Sequence, residues 1–157
     1  MFTEGDYVVC PGHGVGQVLS IEDKDLGGTI CQFYNIKIIA NGMKIIVPTN
    51  NKEGVRGLVN EQDVEDVFEL LKTHDVKVDN STWNRRHREY MNKLKTGSLL
   101  EIADVLRQLL LLSHDKNLSF GERKMLDLCK ELLVKEIAIT VGDEESNISN
   151  KIDSCFS

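Results

Sequence analysis

Apolar and polar positions change their period once along the chain. Up to about residue 50 the apolar side chains come in short runs broken by turn residues. Tyr7-Val8-Val9-Cys10 is a β-rich run, and Pro11-Gly12-His13-Gly14 is a turn. Val15 to Ile21 alternates in part, as a half-buried strand does. Gly27-Gly28 marks a hairpin, Cys31 to Ile39 is a further strand run, and Asn41-Gly42 is the strongest hairpin signal in the chain. It leads into Met43 to Val47, which Pro48 stops. Four or five short strands joined by tight turns predict a small SH3-like or Tudor-like β-barrel, because a single open sheet this small would leave one face wet.

From Asn60 onward the period is helical, after a predicted loop from Thr49 to Leu58. Asn60 is a good N-cap, with Asp63 placed at the positive helix end, and Val64, Val67, Phe68 and Leu71 form the apolar stripe. Residues 73–80 read as a linker. A second helix runs from about Ser81 or Thr82 to Lys95, ended by Gly97. Two S-x-x-E capping boxes, Ser98/Glu101 and Ser119/Glu122, open the next two. The helix after Ser98 is apolar nearly all round and is the predicted buried centre. The last helix is expected to end near Ile139, before a frayed tail. The prediction is an α+β chain: a Tudor-like barrel over 1–58, a helix and linker over 59–80, an all-helical bundle over 81–140 and an acidic, flexible tail over 141–157.

Composition sharpens this division. The net charge of −6 argues against nucleic-acid binding if taken whole. Residues 1–75 carry 6 basic and 12 acidic side chains, residues 76–139 carry 12 and 9, and the remainder carries 1 and 4. Such asymmetry implies two modules with different partners. No apolar run approaches the roughly 20 residues that span a bilayer, and the N-terminus lacks the layout of a signal peptide. The protein is therefore expected to stay in the cytoplasm, with its four scattered cysteines as free thiols.

The densest candidate chemistry lies in Thr82 to Lys95, where Arg85, Arg86, Arg88, Lys93 and Lys95 face a single acid, Glu89. At 100° per residue Trp83, His87, Tyr90, Met91 and Leu94 share one face, leaving a cationic outer surface. The bland reading is a solvated helix face. The functional reading is phosphate contact, since Arg and Lys displace condensed counterions from DNA. Trp83, the only tryptophan, is either a bundle anchor or, from its place in the first turn beside Arg85 and Arg86, a wedge for a base step. Arg123-Lys124 is either an ordinary pair in a capped first turn or a second phosphate site. His13, His74, His87 and His114 have no metal-ligand spacing, and the Pro11–Gly16 turn has no Gly-Lys-Ser/Thr and opens no helix. No enzyme activity, cofactor, metal or small-molecule substrate is expected. A peptide-binding adaptor with no DNA affinity, whose helices dimerise, is the alternative.

The opening GDYVVCPGHGVGQV and the stretch NGMKIIVP resemble the start of the CarD/CdnL family of bacterial transcription regulators. TWNRRHREYMNKLKTGS, EIADVLRQLLLL and LSFGERKMLD resemble that family's C-terminal domain, so the likeness covers roughly residues 2 to 139 in order. The resemblance implies an N-terminal barrel, shared with the transcription-repair coupling factor, that docks on the RNA polymerase β subunit partly by strand-edge pairing. It implies helices that contact promoter DNA, largely without regard to sequence, at the upstream edge of the melted bubble and stabilise the open complex. Trp83 stands at the position of the family's minor-groove wedge. Arg85, Arg86 and Arg88 match the basic residues after it, and Arg123, next to Lys124, matches a further DNA contact. On the polymerase side the matching positions are Lys24, Leu26 and Ile46. An apolar residue at 46 cannot make the ion pair that a basic residue makes there in some relatives. A monomer associated with the nucleoid is the expected state.

Overall fold

The computed structural model describes residues 1–51, 54–75 and 81–156. It divides into two compact units, Met1–Leu58 and Val59–Ser157. The first is the expected Tudor-like β unit and the second is helical.

The β unit holds β1 (Tyr7–Cys10), β2 (Gly14–Leu26), β3 (Thr29–Ile38), β4 (Lys44–Pro48) and β5 (Arg56–Gly57), all antiparallel in the order β4-β3-β2-β1-β5. Its core is Val8, Cys10, Val18, Tyr34, Ile36, Ile38, Val47 and Val55. Two features depart from the sequence reading. β2 and β3 run on through Glu22-Asp23-Lys24-Asp25 to a tip at Gly27 and Gly28, whose φ of 64° and 91° give the left-handed turn such a hairpin needs. That stretch has no alternation to read because both faces of it are exposed. β5 lies inside the predicted loop: it pairs two residues with Val8 and Val9 of β1, too few to leave a pattern.

The helical unit holds α1 (Glu61–Lys72), α2 (Trp83–Lys95), α3 (Leu99–Asp115), α4 (Phe120–Val141) and α5 (Glu145–Ser154). Asn60 and Asp63 form a reciprocal capping box, as do Ser119 and Glu122. At α3 only half of the box forms: Ser98 accepts from the Glu101 amide, while the Glu101 carboxylate turns toward Lys93 at 4.0 Å. α3 is the buried centre, packed against α1, α2 and α4 through Ile102, Val105, Leu106 and Leu109. α1 belongs to this core through Val64, Val67 and Leu71. Its start is tied down where Glu136 accepts the Val59 amide at 2.9 Å and its end where Arg107 donates to the Leu70 and Thr73 carbonyls.

The expected frayed tail is instead α5, with Ile148 and Ile152 fully buried against the bundle. Two isoleucines four apart share one helix face, and Cys155 and Phe156 just beyond the helix pack on the same core, while Lys130 pairs with Asp153 and Lys135 with Glu145. Residues 76–80 of the predicted linker lie outside the described residues. All four cysteines are free thiols. Cys10 and Cys129 are sealed in the two cores, and burial pushes their thiols up to about 11 and about 12.

Candidate nucleic-acid interface

The first turns of α2 and α4 meet. Trp83 opens α2 and is partly buried against the helical core, with Tyr90 and Leu94 below it on the same stripe. Its ring centroid lies 5.3 Å from His87, edge-on, and 6.3 Å from Tyr90. On the α4 side the indole rests on Gly121. A Cβ at that position would stand 3.0 Å from Nε1 and 3.2 Å from Cε2, so a larger residue there would press the indole away by a few tenths of an ångström. The ring is therefore seated on Gly121 and only partly buried.

Arg86 departs from the expected phosphate contact. It is 4% exposed, and its Nη2 stands 3.0 Å from Oε2 of Glu122, itself 1% exposed. Its Nε donates to the Ser81 carbonyl at 3.0 Å, and its guanidinium lies 5.3 Å from the Trp83 ring centroid. The reason is positional. Residue 86 is three beyond Trp83 and four before Tyr90, so it falls on the core stripe, where a charge persists only if paired. Glu122 supplies that pair while also accepting the Ser119 amide at 2.9 Å and facing Lys116 Nζ at 3.3 Å. Burial raises the Glu122 pKa, but hydrogen bonds from Ser119, Arg86 and Lys116 outweigh it and hold the carboxyl down at about 2. Burial likewise opposes the Arg86 charge, yet the bonds to Tyr90 and Glu122 leave its pKa raised.

The remaining predicted cations face solvent. Arg85 and Arg88, three apart on α2, are exposed, and Arg85 makes only a loose pair with Glu89 at 3.8 Å. Arg123 and Lys124 are exposed in the first turn of α4. Lys93 is engaged inside the unit by Asp104, which Arg107 also holds. One residue escaped sequence reasoning. Phe120, the first residue of α4, is 83% exposed. The capping box at Ser119 places it at the helix start, off the apolar stripe, and that was the available signal.

In the β unit, Lys24 and Leu26 lie near the hairpin tip and Ile46 lies on β4, an end strand of the sheet order. Ile46 pairs with Asn35, and Asn35 with Ser20. By the pleat, Ile46, Ser20, Lys24 and Leu26 thus share the face opposite the core. Leu26 and Ile46 are 56% and 53% exposed, and Lys24 sits 5.8 Å from the Phe33 ring centroid. Ile46 is about 13 Å along the strands from Lys24, at roughly 3.3 Å per residue.

No group of three His, Cys, Asp or Glu able to hold a metal ion occurs among the described residues. A cleft of about 510 Å³ is lined by Phe68, Glu69, Lys72 and Cys155, and none of the residues predicted to contact DNA or polymerase borders it. No described helix is long and apolar enough to cross a membrane.

Two family models match the chain: the CarD-like/TRCF RID domain over residues 2–59 and the CarD C-terminal domain over residues 66–153. YdeB of Bacillus subtilis (strain 168), named as a candidate transcription factor, is 29% identical over 152 residues, which is 96% of this chain and 99% of its own length. Among solved structures, CdnLNt from Myxococcus xanthus is 40% identical over a match covering 39% of this chain and 89% of that one, with a TM-score of 0.34.

Proposed function

Since the chain belongs to the CarD family, we propose that it is a transcription regulator that docks on the RNA polymerase β subunit through its β unit and grips promoter DNA through its helical unit. The name of the Bacillus relative supports the regulatory reading. The observation that carries the DNA reading is Trp83: an indole seated on Gly121 and only partly buried, with exposed Arg85, Arg88, Arg123 and Lys124 near the starts of the two helices that hold it.

The cations hold phosphates at the upstream edge of the bubble, and the indole enters the minor groove between base pairs. Unstacking a step costs a few kcal/mol, which contacts to distorted DNA offset. Arg86 is a positioning residue here: tied to Glu122, it lies against the ring and fixes its angle. A ligand shifts an equilibrium only by its differential affinity, so this module stabilises open complexes only if it binds opened DNA more tightly than duplex. Phosphate contacts on this scale bind weakly alone. Docking on polymerase, by strand addition to the free edge of β4 with Lys24, Leu26 and Ile46 on the outer face, raises their effective concentration at the promoter.

The test is open-complex lifetime on a promoter with saturating protein. Wild type should lengthen it. Trp83→Ala, folded by circular dichroism, should return it toward the value without protein. An unchanged lifetime would remove the wedge. No affinity for forked DNA at low salt, with or without polymerase, would favour the adaptor alternative.

A further inference from the structure

Phe120 is the most exposed of the large apolar side chains among the described residues, at 83%. A single exposed hydrophobe is ordinary on a protein surface; its surroundings are what set this one apart. Residues 120, 123 and 124 follow the i, i+3, i+4 spacing, so Phe120 shares a face of α4 with exposed Arg123 and Lys124. The other face of the same turn is closed: Glu122 is bound to Arg86, and Met125 is buried in the core. Its chain neighbour Gly121 lies directly under the Trp83 indole. The phenyl ring therefore stands one residue from the point where the wedge is seated, free of the bundle, with two cations beside it.

We infer that Phe120 is a stacking platform for an unpaired base of single-stranded DNA, held there with its phosphates on Arg123 and Lys124. The charge selects the occupant: two cations next to a bare aromatic ring suit a polyanion carrying flat π-faces. The ring takes any base, because stacking requires only a π-face, so it adds preference for melted over paired DNA without adding sequence preference. The inference rests on the DNA reading above and extends it. Trp83 opens a step, and Phe120 receives a base that the opening releases.

The test measures fluorescence anisotropy of the full chain with two labelled DNAs of one sequence, a continuous duplex and one with a mismatched, unpaired stretch. Phe120→Ala should lower affinity for the unpaired DNA roughly tenfold, while duplex affinity changes less than twofold. Phe120→Tyr should restore the preference, and Phe120→Leu, apolar but without a π-face, should not. Quenching of the sole tryptophan by either DNA should persist in Phe120→Ala. If Phe120→Ala keeps the wild-type preference while Arg123→Glu with Lys124→Glu loses affinity for both DNAs, stacking is overturned and the DNA reading stands. If wild type binds neither DNA, both fall. If Phe120→Ala binds both DNAs normally but weakens only the polymerase–promoter complex, the ring faces protein and the inference is wrong.

Discussion

Arg86 and Glu122 each neutralise a charge that the interior would otherwise hold unpaired. Removing one partner is the damaging change: Arg86→Ala should cost about 3–5 kcal/mol, read as a lower urea midpoint. The pH dependence has a definite sign. Glu122 titrates near 2 in the fold against 4.5 as the ordinary value. Its contribution, on the order of 3 kcal/mol, is complete above the unfolded pKa and is lost as pH falls toward the folded one. Stability measured from pH 5 to 2 should therefore fall more steeply in wild type than in Glu122→Ala, and equal slopes would refute the assignment. At this scale the sequence is partly legible. Trp83 and the outward Arg85 and Arg88 could be placed from helical phase. Arg86 could not, because a guanidinium on a core stripe reads as solvent-facing until its counter-charge, 36 positions away, is known.

At the scale of elements, α5 carries the clearest stability prediction. Ile152→Ala should destabilise the helical unit by about 2–5 kcal/mol, the usual range for a fully buried isoleucine, seen as a lowered thermal midpoint. A change near zero would mean that the segment does not dock. The caps at Asn60 and Ser119 were readable because their hydrogen bonds are local, three residues apart. α5 was not, because its evidence is two apolar positions in a polar run, and their value depends on a surface made by other helices. The β2–β3 turn at Gly27-Gly28 was readable, but the length of its strands was not: Glu22 to Leu26 are exposed on both faces, so no face is selected to be apolar.

The whole molecule is acidic, yet the segment holding α2 to α4 is basic. Net charge would repel DNA at long range, so binding depends on local contacts and on salt. Four phosphate contacts, from Arg85, Arg88, Arg123 and Lys124, give a slope of log affinity against log salt near −3.6, or roughly a hundredfold loss for a fourfold increase. Arg85→Glu with Arg88→Glu should flatten that slope and weaken all sequences alike. A loss confined to one sequence would mean that bases, not phosphates, are read.

Each unit also carries its own stopwatch. Cys10 in one core and Cys129 in the other are 1% and 0% exposed, with thiols titrating far above neutrality. Only the thiolate attacks an alkylating reagent, so neither reacts until its own unit opens. Cys31 and Cys155, both partly exposed, react first. The two slow phases of labelling, assigned by mass, then time the separate breathing of the strands and the helices in the unmodified chain.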